Sequence, residues 1–327
     1  MRVGLIGLKG HYGTVLEGLA EAGCELVAVC DDDEGVLASA RGWPQAGAHL
    51  RTYTDFREML DHETLDVVAE SGTDDRRAEV ICACAERGLH VLAEKPLAYD
   101  LEQLGRVREA VAASGVHLSM LLTMRFEPAY RLVREQVAAG AIGEVCQAAM
   151  QKSYRLGNRP AWQRNRATFS GIIPFIGIHG LDLIRWTSGR EFARAAGFAA
   201  NVGHPEMGGM EDSACVALEL DNGGTAGLRL DYCRPAAAPT HGDDRLRLAG
   251  NKGVIESVAC GAEVALITAD EGPRVLELPE APGQFANFVA AIRGDQACEV
   301  PAEDCYRITE VVLKIRDAAR RGEMAVL

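Results

Sequence analysis

Short aliphatic runs alternate with amphipathic stretches from residue 2 to about 122, and the runs at 2–6, 25–30, 65–69, 90–93 and 116–122 read as strands. Strands separated by helices pair in parallel through right-handed crossovers, so this stretch predicts a doubly wound sheet. After residue 123 the texture changes. Residues 145–154 read as a strand, and runs at 214–220 and 225–232 flank Asp221-Asn222-Gly223-Gly224, a hairpin turn signal. Runs at 246–248 and 264–266, each followed by a Gly/Asp-rich turn, repeat the theme and predict an antiparallel sheet. Phe285, Phe288, Val289 and Ile292 share a helix face, and Pro301 opens a last helix carrying Ile308, Val311, Val312 and Ile315 on one side. The pattern predicts an α/β chain of two domains. Residues 1–122 form the doubly wound one, and residues 123–327 form an α+β domain with a large, mostly antiparallel sheet.

Composition narrows the function classes. The longest uncharged apolar stretch, 171–178, is far shorter than the roughly 20 residues of a membrane helix. The amino terminus lacks the apolar core and cleavage site of a secretory signal, which points to the cytosol. A net charge of -13 repels phosphodiester backbones and anionic lipid, so neither nucleic acid nor a membrane is the expected partner. Ten cysteines with no C-x-x-C pair read as reduced thiols rather than disulfides or a metal site.

The first predicted strand runs into Gly7-Leu8-Lys9-Gly10-His11-Tyr12-Gly13 and then a helical stretch. A dinucleotide site needs glycines there, so that the backbone turns tightly and approaches a pyrophosphate. Gly7 fits the G-x-G-x-x-G pattern, while Lys9 and Tyr12 take its second and third glycine positions and Gly10 and Gly13 fall one residue late. His11 lies in the same turn. Asp31, followed by Asp32 and Asp33, ends the second strand. A carboxylate at that point accepts the adenosine ribose hydroxyls and repels a 2'-phosphate, which favours NAD over NADP. The same acids would also serve as a helix cap. Lys9 is either a solvent-facing turn residue or a cation near the pyrophosphate.

Another strand ends in Glu94-Lys95-Pro96, a charged pair stopped by proline. The carboxyl edge of a doubly wound sheet is where ligands bind, so a lysine fixed there is a candidate for chemistry. Further on stand Arg125-Phe126-Glu127-Pro128-Ala129-Tyr130, Gly140-Ala141-Ile142-Gly143-Glu144-Val145 and Gly177-Ile178-His179-Gly180-Leu181-Asp182. In content and order these motifs make the chain similar to the Gfo/Idh/MocA oxidoreductase family, the glucose-fructose oxidoreductase and inositol dehydrogenase relatives.

The resemblance implies a Rossmann domain followed by an α/β domain whose large sheet forms subunit interfaces, and hence a homo-oligomer, dimer or tetramer. It implies NAD as cofactor and a sugar, polyol or sugar acid as the small-molecule substrate, oxidised or reduced at a secondary alcohol or ketone. Lys95 would bond the reacting oxygen, His179 would carry the proton, and Asp182 would be a third catalytic acid or a helix brace. An imidazole suits the proton role because it titrates near neutral pH. Cofactor contacts are expected from Gly7, Lys9, Gly10, His11, Tyr12, Asp31, Asp32, Gly72, Thr73, Glu94, Lys95, Pro96 and Arg125. Substrate contacts are expected from Lys95, Lys152, Tyr154, Arg155, Phe175 and His179. Lys152, Tyr154 and Arg155 belong to a basic, aromatic-interleaved segment with Arg159, Arg164 and Arg166, readable as an anion trap or as a solvated loop.

Two departures stand out. Phe175 takes a position where relatives often carry an aspartate four residues before the histidine, and Arg77, in Gly72-Thr73-Asp74-Asp75-Arg76-Arg77, takes one where histidine is common. They suggest an outlying branch with an altered pocket. The resemblance also leaves open an NAD-dependent glycosidase or lyase working through transient oxidation, as in some relatives, and Phe175 keeps open a non-catalytic dinucleotide or metabolite sensor.

Overall fold

The computed structural model describes residues 1–47 and 49–327 and contains two sheets. The first has strands β1 (Arg2–Ile6), β2 (Glu25–Cys30), β3 (Arg51–Tyr53), β4 (Val67–Glu70), β5 (His90–Ala93) and β6 (Leu118–Met120), all parallel, in the order β3-β2-β1-β4-β5-β6. Its helices are α1 (Tyr12–Gly18), α2 (Glu34–Ala40), α3 (Phe56–His62), α4 (Asp74–Glu86) and α5 (Leu101–Ser114). The strand order reverses between β1 and β4, and a crevice opens at the carboxyl ends of the strands at such a point. Strands covered on both faces read as unbroken aliphatic runs, which is why β1, β2 and β4 are nearly all buried.

Later in the chain come α6 (Pro128–Ala138), α7 (Ile178–Ser188), α8 (Gln284–Arg293) and α9 (Ala302–Arg321). The second sheet comprises β7 (Val145–Ser153), β8 (Phe192–Ala200), β9 (Ser213–Leu220), β10 (Thr225–Asp231), β11 (Arg245–Gly250), β12 (Gly253–Val258), β13 (Glu263–Thr268), β14 (Arg274–Val275) and β15 (Ala325–Val326). Their order is β14-β13-β12-β11-β7-β10-β9-β8-β15, antiparallel except for the β7–β10 pair. Ala214, Val216, Leu218, Leu228, Leu230, Leu246 and Leu248 bury one face, as period-two alternation requires. The expected hairpin forms between β9 and β10, with Gly223 at φ 81° in its turn. On the buried face α7 lies close to the sheet, since a Cβ on Gly180 would sit 2.6 Å from Leu228 Cδ1.

The chain divides into one unit of Met1–Thr123 with Pro282–Thr309 and another of Met124–Ala281 with Glu310–Leu327. The sequence reading carries α8 in the second domain, whereas Phe285, Phe288 and Val289 pack with Val3, Leu5, Val15 and Leu19 in the first unit's core. The helix period shows that α8 has an apolar face but not which surface covers it. Strands β3, β8, β12, β14 and β15 are also absent from the sequence reading: β3, β14 and β15 are only two or three residues long, the alanine-rich β8 lacks the β-branched residues that mark strands, and β12 begins inside the Gly250–Gly253 turn signal.

Candidate functional site

The glycine turn follows β1 and lies against the loop after β4. Gly7 has φ 78°, and a Cβ there would fall 2.4 Å from the Gly72 backbone, so only glycine lets the two loops meet. A Cβ on Gly10 would lie 2.2 Å from Glu94 Oε2, which brings β5 to the same turn. The cleft here is lined by Gly7, Lys9, Asp31, Asp32, Gly72 and Thr73, all expected cofactor residues, together with Thr54, Glu70 and Arg76. Tyr12 stacks on Trp43 with ring centroids 5.7 Å apart.

Asp31 is buried at the end of β2. Its Oδ2 accepts from Leu8 N–H at 2.8 Å, and its Oδ1 accepts from Lys9 Nζ at 2.8 Å and Asp33 N–H at 3.0 Å. Lys9 Nζ also reaches Asp32 Oδ1 at 2.9 Å. Its ammonium therefore pairs with Asp31 and Asp32 at the end of β2, a position that neither sequence alternative specified. Asp33 caps α2, accepting from Gly35 and Val36 N–H. The capping reading thus suits Asp33, while Asp31 keeps its carboxylate on the cleft.

At the end of β5, Glu94 accepts from His11 N–H at 2.6 Å and approaches His11 Nδ1 at 2.9 Å. Burial pushes the Glu94 carboxyl up, but the neighbouring His11 and Lys95 charges outweigh it and hold the group well below the usual range. Lys95 Nζ lies 3.7 Å from Glu94 Oε1, with both side chains almost wholly buried. The Lys95–Pro96 peptide is cis. Beneath this edge Arg77, completely buried, bonds Glu70, Asp74 and the carbonyls of Gly72 and Pro96. Burial pushes the Glu70 carboxyl up to about 7 against the opposing pull of Arg77. Glu70 was not among the sequence candidates, although a glutamate closing the run Val67-Val68-Ala69 is a signal that could have found it.

In the second unit His179 is buried in the first turn of α7, directly after a π-helical turn over Ile173–Gly177. Such turns are frequent at functional sites. Phe175, inside that turn, packs edge-on against Trp162 and Phe169 with centroids 5.8 and 5.2 Å away. Asp182 is engaged by Arg125: Nε donates to Oδ2 at 2.8 Å and Nη2 to Oδ1 at 2.6 Å, a two-pronged buried pair.

Lys152 and Tyr154 converge on one acceptor, Asp244 Oδ2, at 2.6 and 3.0 Å. Lys152 is 1% exposed, and a Cβ on Gly180 would approach its Cδ at 3.7 Å, placing its stem beside the residue after His179. Burial pushes the Glu127 carboxyl up to about 7, opposed by Lys152 and assisted by Asp244. Burial and then Asp244 raise the Tyr154 hydroxyl. Asp244 and Glu127 were not sequence candidates, and nothing local in Gly242-Asp243-Asp244 sets that acid apart. Arg155 donates to the Ala238 carbonyl, Arg159 to the Leu156 carbonyl at 2.6 Å and Arg164 to the Arg159 carbonyl at 3.0 Å, while Arg166 pairs with Glu211. Most of the basic segment thus braces its own loops.

A classical 3-2-1-4-5-6 strand order, a glycine-only turn at the reversal point and a buried acid ending β2 define a dinucleotide-binding fold, and the residues lining the cleft fit that ligand. The model of an oxidoreductase family with an NAD-binding Rossmann fold matches residues 1–122, and that of the GFO/IDH/MocA C-terminal domain matches residues 130–256. The chain belongs to the Gfo/Idh/MocA oxidoreductase family.

Among relatives, inositol 2-dehydrogenase 2 of Saccharopolyspora erythraea is 29% identical over 68% of this chain, which spans 64% of that protein's length. Myo-inositol 2-dehydrogenase of Thermotoga maritima is 27% identical over 84% of this chain and 80% of its own. A solved structure from Thermotoga maritima, described as a candidate oxidoreductase, superposes with TM-score 0.94 at 31% identity over the full length of both chains.

Proposed function

We propose that this protein is an NAD(H)-dependent oxidoreductase acting on a secondary alcohol or ketone of a sugar, polyol or sugar acid. The observation that carries the reading is Lys95. Its ammonium is buried at the carboxyl edge of the parallel sheet, on the same Glu94 that holds His11 of the glycine turn. A cation fixed beside a dinucleotide turn favours negative charge developing on a reacting oxygen. When bound, the dinucleotide supplies the hydride acceptor or donor. Lys95 hydrogen-bonds the reacting oxygen, and His179 takes its proton on oxidation and returns it on reduction. Lys152, held by Asp244, and Tyr154 bind substrate hydroxyl or carboxylate oxygens. Asp182 orients Arg125 rather than reacting itself. The relatives named as inositol dehydrogenases favour a cyclic polyol.

Ten free cysteines, with Cys146, Cys215, Cys233 and Cys260 exposed, suit a reducing compartment such as the cytosol. Phe198 and Val202, at 80% and 82% exposure, suit burial against a second copy of the chain, so the active form is a homo-oligomer.

The test is NADH fluorescence followed against a panel of inositols, aldoses and sugar acids, with NAD and NADP in parallel. Turnover with NAD that falls at least a hundredfold in Lys95→Ala, with NADH affinity retained, is expected. Wild-type turnover in that variant would remove Lys95 from the reaction. Substrate loss with no net NADH would shift the reading to transient oxidation. Tight NADH binding with no turnover, a reading that the aromatic packing of Phe175 motivates, would make the protein a sensor.

A further inference from the structure

Arg77 is bonded to four acceptors, and the proposed reaction gives it no task. Its side chain is wholly buried. Nε donates to Glu70 Oε2 at 2.8 Å, Nη1 to Asp74 Oδ1 at 3.1 Å and to the Pro96 carbonyl at 2.7 Å, and Nη2 to the Gly72 carbonyl at 2.8 Å. A buried ion cluster of this kind is weak support for stability, because desolvation offsets the attraction between its charges. Its distinguishing property is geometric. One planar fork reaches four acceptors that lie on β4, on the loop after it, on the first turn of α4 and on the segment after β5.

Two of those acceptors are main-chain carbonyls at functional positions. Gly72 is the residue against which Gly7 closes. Pro96 directly follows Lys95 and has no N–H of its own to anchor the strand end. Upstream of Lys95, Glu94 is fastened by His11 N–H and by Lys95's own N–H at 3.0 Å. Downstream, the Pro96 carbonyl is fastened by Arg77. We propose that Arg77 is a positioning residue, whose guanidinium locks the Gly72 and Pro96 carbonyls together and so fixes where the Lys95 ammonium stands relative to the glycine turn. Lysine at 77 keeps the charge but, as a point donor without the planar fork, cannot span the four acceptors. This inference rests on the reading of Lys95 as the group that meets the reacting oxygen.

The test compares wild type, Arg77→Lys, Arg77→Met combined with Glu70→Gln, and Lys95→Ala. The double variant removes the Arg77 and Glu70 charges together and leaves the buried Asp74 in the first turn of α4, where the helix N-terminus favours a negative charge, and amide exchange reads its effect on the segment apart from turnover. Three readouts are taken: NADH dissociation constant by fluorescence titration, amide exchange by mass spectrometry over residues 94–98, and turnover of myo-inositol or of whichever panel sugar reacts faster. Expected in Arg77→Lys and in the double variant are at least tenfold faster exchange over 94–98, turnover down at least tenfold, and NADH affinity within threefold of wild type. Unchanged exchange over 94–98, or turnover within threefold of wild type, overturns the proposal. So does an equal loss of turnover and NADH affinity, which would place the effect on the cofactor loop alone. If Lys95→Ala keeps its turnover, the reading of Lys95 fails instead, and the exchange data still decide whether Arg77 orders the segment.

Discussion

Asp182→Asn isolates the Arg125–Asp182 pair. Both side chains are at most 2% exposed and both carboxylate oxygens are used, so the substitution leaves a guanidinium in the core facing a neutral amide. Breaking a buried pair by removing one partner costs about 3–5 kcal/mol. The amide keeps one acceptor, so about 3 kcal/mol is expected. At about 2–4 °C per kcal/mol for a unit of this size, the melting midpoint should drop by about 6–12 °C. Arg125 Cζ also lies 5.5 Å from the Trp186 ring and Arg134 Cζ 4.5 Å from it, so indole fluorescence reports the loosening locally. The control is Arg125→Met with Asp182→Leu, which removes both charges into similar volume and should recover most of the loss, since apolar replacement of a buried pair is often near neutral. Calorimetry and fluorescence melts of all three proteins decide it. An Asp182→Asn midpoint within about 2 °C of wild type, or a double variant no more stable than the single one, would refute the argument that Asp182 is a brace bought at the expense of a dry, charged core.

Three further outcomes follow from the geometry. Lys9→Ala removes the ammonium that partly neutralises Asp31 and Asp32, so NADPH affinity should fall at least fivefold relative to NADH in parallel titrations; an unchanged ratio would separate Lys9 from cofactor choice. Gly10→Ala puts a methyl on Glu94 Oε2 and Ser71 Oγ, and should weaken NADH binding at least tenfold, with full affinity contradicting the packing of the turn. Glu127 is raised by burial from an ordinary 4.5 to about 7, so the folded state holds its proton more tightly and loses that contribution as pH rises from about 4.5 through 7. Gln cannot titrate, so the melting midpoint of Glu127→Gln should gain on wild type from pH 5 to pH 8. A pH-independent difference between the two would show that Glu127 titrates normally.

The sequence by itself determined the features whose cause is local. An aliphatic run ending in glycine, an acid closing the next run, and a charged pair stopped by proline each encode a strand end and its chemistry within a few residues. That is why the strand ends that carry Gly7, Asp31 and Lys95 were legible before any coordinates. Hydrophobic runs set between Gly/Asp turn signals likewise marked five of the nine described strands of the second sheet. What tertiary structure decided is which distant groups meet. Arg77 looked like an unexplained departure until folding brought it Glu70, Asp74 and the carbonyls of Gly72 and Pro96. Lys152 and Tyr154 share Asp244, about ninety residues further along the chain, and α8 packs its apolar face in the first unit's core. Periodicity specifies that a face must be covered and that a buried charge needs partners. The identity of the cover and of the partners is set by strand order and crossover path, which no local pattern carries.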